Sequence, residues 1–158
     1  SGLTIKEGAP MPAAIHVLNG PNLNRLGTRE PEIYGHTTLA GVKAICEGAA
    51  GPHPLVFLQS NAEHQIIDWI HEAIDAGAGA IVINPAGLTF TSVPIMDALK
   101  MFPGVVIELH ISNIHRREAV YHQSLVSKVA TAVIAGLGPQ GYRSAVEAVR
   151  RMLNPAEA

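Results

Sequence analysis

Five short runs of apolar, largely β-branched residues punctuate the chain, at 13–18, 55–58, 80–83, 105–109 and 132–134. Each is too short for a helix and too continuous for a strand with one wet face, so each predicts a parallel strand buried on both faces. Between them the apolar positions recur at helical spacing. Leu39, Val42, Ile45 and Cys46 form one stripe behind a Thr37 or Thr38 cap; Ile66, Ile67, Ile70 and Ile74 form a second that ends at Gly77. Val93, Met96 and Leu99 form a third, with Ser92 as cap and Pro94 in the first turn, where its missing N–H is no loss. A fourth covers about 142–153 and turns Ala145, Val146, Val149 and Leu153 inward. Strands alternating with helices predict an α/β fold, a parallel sheet covered on both faces to make a three-layer sandwich. Five strands fit the flavodoxin-like order 2-1-3-4-5, whose ligands bind beyond the carboxyl ends of the strands, near the switch between strands 1 and 3.

That rule directs attention to the strand ends. The first strand runs into Asn19-Gly20-Pro21-Asn22-Leu23-Asn24-Arg25 and continues through Arg29 to Tyr34, and no helix is expected before Tyr34 because Gly20, Pro21, Gly27, Pro31 and Gly35 interrupt the backbone. Roughly seventeen residues is long for a strand-to-helix connection, where about 2 to 6 is usual, and the mixture of arginines, amides and a tyrosine suits a closing lid better than a linker. Asn84 follows strand 3, and His110, Ile111, Ser112 and Asn113 follow strand 4. Any one of these polar residues has an ordinary reading as a loop cap; their coincidence at three neighbouring strand ends favours a ligand crevice.

Alternation along a strand puts Glu108 on the same side as His110. A carboxylate beside an imidazole fixes its tautomer and favours the protonated ring, which suits a general acid; the competing reading is a hydrogen-bonded core histidine. Exposed backbone N–H groups at Ile111 and Ser112, with the Asn84 amide, are placed to hold a carboxylate without a lysine. Tyr34 is the second candidate. Tyrosine is ordinarily a poor base, with a pKa of about 10, so base chemistry needs cations close by to favour phenolate. Arg25 and Arg29 share its loop and Arg117 follows strand 4; the competing reading of Tyr34 is simple packing. The residues alone predict an acid–base site for an anionic small molecule.

Composition narrows the classes further. The chain has 158 residues, 47% hydrophobic and 15% charged, with a formal net charge of −2, enough for one domain over residues 13–158 behind a tail at 1–12. Nucleic-acid binding would want a basic stripe, and the pairs Arg116-Arg117 and Arg150-Arg151 are too small for one. Cys46 is the single cysteine, which excludes a disulfide framework and a cysteine metal cluster and fits a reducing cytoplasm. No apolar run approaches the roughly 18 residues of a membrane span, and residues 1–12 lack the order of a signal peptide. His110 with His115, and His64 with His71, have no third ligand in view, so metal binding is not expected. Gly136-Leu137-Gly138-Pro139-Gln140-Gly141 matches a dinucleotide fingerprint in spacing, but only one helix follows it, so a tight turn is the better reading.

The segments VLNGPNLNRLGTREPEIYG, LQSNAEHQIIDWIHEA, IVINPAGLT with the following Thr91-Ser92, IELHISNIHRRE and IAGLGPQGY resemble the type II 3-dehydroquinate dehydratase family, in the family's order. The resemblance covers nearly everything from about residue 15 to 142. It implies the same flavodoxin-like fold, a trimer-based dodecamer, no metal or cofactor, and elimination of water from 3-dehydroquinate through an enolate. Position by position, Tyr34 matches the base that removes a proton from carbon 2, and Arg29 the lid arginine that supports the phenolate. Arg117 matches a second arginine near that tyrosine, and Asn22 the asparagine that helps hold a water at the enolate oxygen. His110 matches the acid that protonates the departing hydroxyl at carbon 1, with Glu108 behind it. Asn84 and the backbone of Ile111 and Ser112 match the carboxylate pocket.

The departures from the family pattern cluster. The family's histidine in Thr-His-Thr-Ser is Phe90 here, and its arginine four residues past Arg117 is Tyr121. With an aspartate matched by Asp97 and expected from a neighbouring subunit, those two side chains recognise the ring hydroxyls at carbons 4 and 5 in the family. The arginine common before that aspartate is Met96, and the glycine usual near Ala86 is shifted to Gly87. The resemblance therefore leaves three readings: a dehydratase of 3-dehydroquinate, a diverged enzyme for a related cyclic hydroxy-keto carboxylate, or a binding homologue. Retention of an acid and a base speaks against the last.

Overall fold

The computed structural model describes residues 11–28 and 30–157. Strands β1 (Ile15–Asn19), β2 (Leu55–Gln59), β3 (Ala80–Asn84), β4 (Val105–His110) and β5 (Ala132–Ala135) pair in parallel in the order β2-β1-β3-β4-β5, as the alternation predicts. The register aligns Asn19 with Gln59 on one side and with Asn84 on the other, so three side-chain amides end three adjacent strands in a row.

The helices are α1 (Pro31–Tyr34), α2 (Leu39–Ala49), α3 (Glu63–Asp75), α4 (Val93–Met101) and α5 (Gln140–Leu153). Thr38 caps α2 through its hydroxyl, which accepts from the Gly41 N–H, and Ser92 caps α4 by accepting from Ile95. Ile15, Val17, Ala80, Val82, Ile107 and Leu109 pack with α2 and α5 on one face of the sheet. Leu18, Ile81, Ile83 and Val106 pack with α3 and α4 on the other. Each fully buried valine, leucine or isoleucine among them contributes roughly 1.5–3 kcal/mol. That two-sided packing is why the strand runs are apolar without alternation. No helix among the described residues is long and apolar enough to cross a membrane.

Three expectations are corrected. The connection after β1 is not irregular throughout: it contains a 3-10 turn (Leu23–Arg25) and the single-turn helix α1. Pro31 starts α1, where its fixed φ is already helical, and Gly35, at φ 78°, ends it. The strands are not all buried on both faces, because β2 and β5 are sheet edges; β2 is half-buried along its length and Val133 of β5 is 47% exposed. Finally, α5 begins at Gln140, directly after Pro139, rather than near Tyr142. The glycine-rich segment before it is a turn, as expected, with Gly136 and Gly138 at φ of 88° and 65°.

Candidate active site

The connection after β1 is tied down where it leaves the sheet. The Gly20 N–H donates to the Asn84 carbonyl at 2.8 Å, and a Cβ at Gly20 would lie 2.5 Å from the Pro85 carbonyl oxygen, so only glycine lets the two strand ends touch. Asn22 then takes a left-handed conformation, φ 71°, tolerable for asparagine. Its N–H donates to Asn61 Oδ1 at 2.9 Å, while Gln59 Nε2 donates to the same oxygen at 3.1 Å and to the Gly20 carbonyl at 3.2 Å. Leu23 and Leu26 bury beneath the loop and anchor it.

Beyond the carboxyl ends of β1, β3 and β4 lies a cleft of about 240 Å³. Its polar lining is Asn22, Tyr34, Asn84, His110, Ser112 and Arg117; its apolar lining includes Leu23, Phe90, Ile111, Ile114 and Tyr121. Drug-sized sites occupy roughly 300 to 1,000 Å³, so this cleft suits a smaller metabolite. Residues predicted on separate strand ends thus meet in one place. Glu108 stands behind His110 rather than in the lining. Asp97 lies on the exposed side of α4, 3.7 Å from Lys100, outside this chain's cleft. Arg29 falls outside the described residues.

Glu108 is wholly buried, and its Oε2 accepts from His110 Nε2 at 2.5 Å. That bond makes Nε2 the proton-bearing nitrogen toward Glu108 and leaves Nδ1 as the ring nitrogen for a ligand. The other oxygen, Oε1, accepts from the hydroxyls of Ser124 at 3.0 Å and Ser127 at 2.6 Å. Burial alone raises the Glu108 carboxyl, but hydrogen bonds from His110, Ser127 and Ser124 and the attraction of His110 outweigh it and hold the group below its ordinary value of 4.5. His16 on β1 is lowered below 6.5 chiefly by burial, against the pull of Glu72.

Both groups are depressed in the folded state, so the stability each contributes is present above its unfolded value and lost as pH falls through its folded value. Thermal midpoints are therefore expected to decline first below pH 6.5, from His16, and further below pH 4.5, from Glu108. Glu108→Gln should flatten only the lower part of that curve, as read by circular dichroism melts across pH.

Arg117 Nη1 donates to the Tyr34 hydroxyl at 2.9 Å, and its guanidinium lies 5.6 Å from the Tyr34 ring centre and 4.1 Å from that of Tyr121. One cation thus braces the tyrosine oxygen while it lies over a second aromatic ring. Phe90 stacks on His110 with centroids 6.2 Å apart, and its ring meets Tyr121 edge-on at 5.4 Å. The cleft wall beside His110 is aromatic, with the Phe90 ring offering no hydrogen bond.

At the floor, Asn84 Oδ1 accepts from the Ala86 N–H at 3.2 Å and Nδ2 donates to the Tyr142 hydroxyl at 2.9 Å. Ala86 sits at φ 52°, a left-handed conformation that glycine adopts without penalty and alanine does not. The neighbouring Gly87 does not share it, so alanine at 86 leaves strain beside the cleft. Ala86→Gly is expected to stabilise the protein by up to about 1 kcal/mol, the relief of strain being partly offset by the added freedom of the unfolded chain. Urea denaturation at constant m-value checks it.

The local pattern of the sequence points to neither Ser124 nor Ser127, since both lie in an aperiodic segment well along the chain from Glu108. Tyr142 did carry a signal: it falls on the inward stripe of α5, and a buried tyrosine needs a partner for its hydroxyl. Among the described residues, no group of three or more His, Cys, Asp or Glu is arranged to hold a metal ion.

The family model described as Dehydroquinase class II matches residues 13–150. The chain is 57% identical over 141 residues to 3-dehydroquinate dehydratase 2 of Agrobacterium fabrum, spanning 87% of this chain and 92% of that one. It is 54% identical over 149 residues to 3-dehydroquinate dehydratase of Streptomyces avermitilis, spanning 92% and 93% respectively. The solved structure of type II dehydroquinase from Propionibacterium acnes aligns with a TM-score of 0.82 at 40% identity, over 90% of this chain and 99% of that one. With identity this high over nearly the whole length and the same fold, the chain belongs to the class II dehydroquinase family of enzymes.

Proposed function

We propose that this enzyme eliminates water from 3-dehydroquinate to give 3-dehydroshikimate. Tyr34, as phenolate, takes a proton from carbon 2, and the electron pair moves onto the carbon 3 oxygen as an enolate. The enolate collapses to form the double bond between carbons 1 and 2. The carbon 1 hydroxyl departs with a proton from His110 and leaves as water; solvent then restores both groups. Asn22 steadies a water at the enolate oxygen, and Asn84 with the Ile111 and Ser112 backbone holds the carboxylate. Arg29 and Arg117 support the phenolate, and Glu108 orients His110. A positioned acid and base contribute roughly 10² to 10⁴-fold each, and enolate stabilisation adds to that.

The observation that carries this reading is a braced tyrosine and a carboxylate-paired histidine lining one small cleft. The experiment is a steady-state assay of purified protein with 3-dehydroquinate, following the conjugated enone of the product. Turnover at an ordinary KM supports the proposal; no turnover at any concentration overturns it.

A second reading is favoured by Phe90 and Tyr121. Their aromatic wall fits a substrate less hydroxylated, or differently substituted, at carbons 4 and 5, with the same acid–base steps. The resemblance also supports a cytoplasmic enzyme that works without metal or organic cofactor, as a trimer-based dodecamer in which Asp97 serves a neighbouring subunit's cleft. The outward position of Asp97 and the exposed Val120 and Val133 fit that assembly, and light scattering measures it.

A further inference from the structure

Four hydrogen bonds run across the floor of the cleft with one polarity. The Ala86 N–H donates to Asn84 Oδ1 (3.2 Å), Asn84 Nδ2 to the Tyr142 hydroxyl (2.9 Å), that hydroxyl to Asn19 Oδ1 (2.7 Å), and Asn19 Nδ2 to the Leu58 carbonyl (3.0 Å). The far end is fixed, because a carbonyl only accepts; Asn19 must therefore turn its amide nitrogen to Leu58 and its oxygen to Tyr142. With that oxygen as acceptor, Tyr142 spends its single proton there and has only lone pairs for Asn84. The near end is fixed in the same sense by a backbone N–H.

We infer that Tyr142, buried in α5 and 58 positions from Asn84 in sequence, is a positioning residue that holds the Asn84 amide with a nitrogen-bound proton, not its oxygen, turned to the ligand. Asn84 Nδ2 has two protons, and Tyr142 takes one, so the second remains for the cleft that Asn84 lines. Were the amide flipped, its oxygen would face an anionic ligand and repel it. The role rests on the proposal above, that Asn84 holds a carboxylate. It explains why a hydroxyl is placed in an otherwise apolar layer between the sheet and α5.

Tyr142→Phe keeps the ring and removes only the hydroxyl. The expected result is a KM for 3-dehydroquinate raised on the order of tenfold, with kcat changed by less than about threefold. In an Asn84→Ala background the same substitution should leave KM unchanged. Asn19→Ala provides a second route: deprived of its acceptor, the Tyr142 hydroxyl is no longer obliged to present a lone pair to Asn84, and the amide keeps only the Ala86 N–H to set its orientation, raising KM in the same way. An unchanged KM in both variants, or an equal rise with and without Asn84, overturns the inference and leaves Tyr142 a packing residue.

The Asn84 side-chain amide signals, assigned by their loss in Asn84→Ala, read the network without any substrate. Slow exchange in the wild type and fast exchange in Tyr142→Phe support the inference; identical exchange overturns it. A wild type that fails to turn over 3-dehydroquinate would sink the proposed activity, and the amide signals would still decide the role of Tyr142.

Discussion

Tyr34→Phe is expected to lower kcat for 3-dehydroquinate by roughly 10² to 10⁴-fold while KM stays within a few-fold. The substitution removes one oxygen from a half-buried ring and leaves the packing of that ring in the loop intact. What it deletes is the atom to which Arg117 donates at 2.9 Å, and with it the only base proposed for the proton on carbon 2. The same guanidinium remains over the Tyr121 ring at 4.1 Å, so the cleft should not collapse. Steady-state kinetics separates the two parameters: a loss confined to KM would make Tyr34 a binding residue and remove it from the chemistry. The enolate route also requires that exchange of the carbon 2 proton with solvent disappear in the variant, which deuterium incorporation measures.

Phe90→His with Tyr121→Arg is expected to raise kcat/KM for 3-dehydroquinate, because each would supply the polar partner that the family resemblance assigns to a ring hydroxyl. A site that hydrogen-bonds a hydroxyl gains about 1 to 3 kcal/mol from that interaction, or roughly five- to 150-fold per residue. The aromatic packing that the substitutions disrupt works in the opposite direction. Phe90 stacks on His110 at 6.2 Å and meets Tyr121 at 5.4 Å, and Tyr121 receives Arg117. An aromatic pair contributes about 0.5–1.5 kcal/mol, so a single substitution is expected to gain less than the pair together. Arginine at 121 would also set a second cation beside Arg117, which the substrate's hydroxyls must screen. No gain in the double variant would discard the second reading of the function and leave Phe90 and Tyr121 as tolerated changes in a dehydratase of 3-dehydroquinate.

The element pattern was legible because it depends on short-range periodicity, and the strand order followed from the topology that pattern allows. Buried parallel strands require continuous apolar runs, and the alternation of strands with helices leaves few topologies once crossovers are right-handed. The same logic located the cleft: Asn22, Asn84 and His110 each have an ordinary reading as loop caps, and it was their coincidence just beyond three strand ends expected to be neighbours that favoured a crevice. It failed at the margins. Helix α1 was hidden by Pro31 and Gly35, which read as breakers although they bound a single helical turn. Edge exposure on β2 and β5 could not be read from composition, because an edge strand of a covered sheet is nearly as apolar as a central one.

The sequence by itself determined the layers, the strand order, the end of the sheet where a ligand belongs and, through family resemblance, an expected role for each residue there. It also placed Glu108 beside His110, because side chains two apart on a strand share a face. Only the tertiary structure decided which groups complete the site. Ser124 and Ser127 reach Glu108 across 16 and 19 positions, and Tyr142 reaches Asn19 across 123. No periodicity spans such separations. These partners are selected by the geometry of closure, in which each buried polar atom must find whatever donor or acceptor the packed layers bring within about 3 Å.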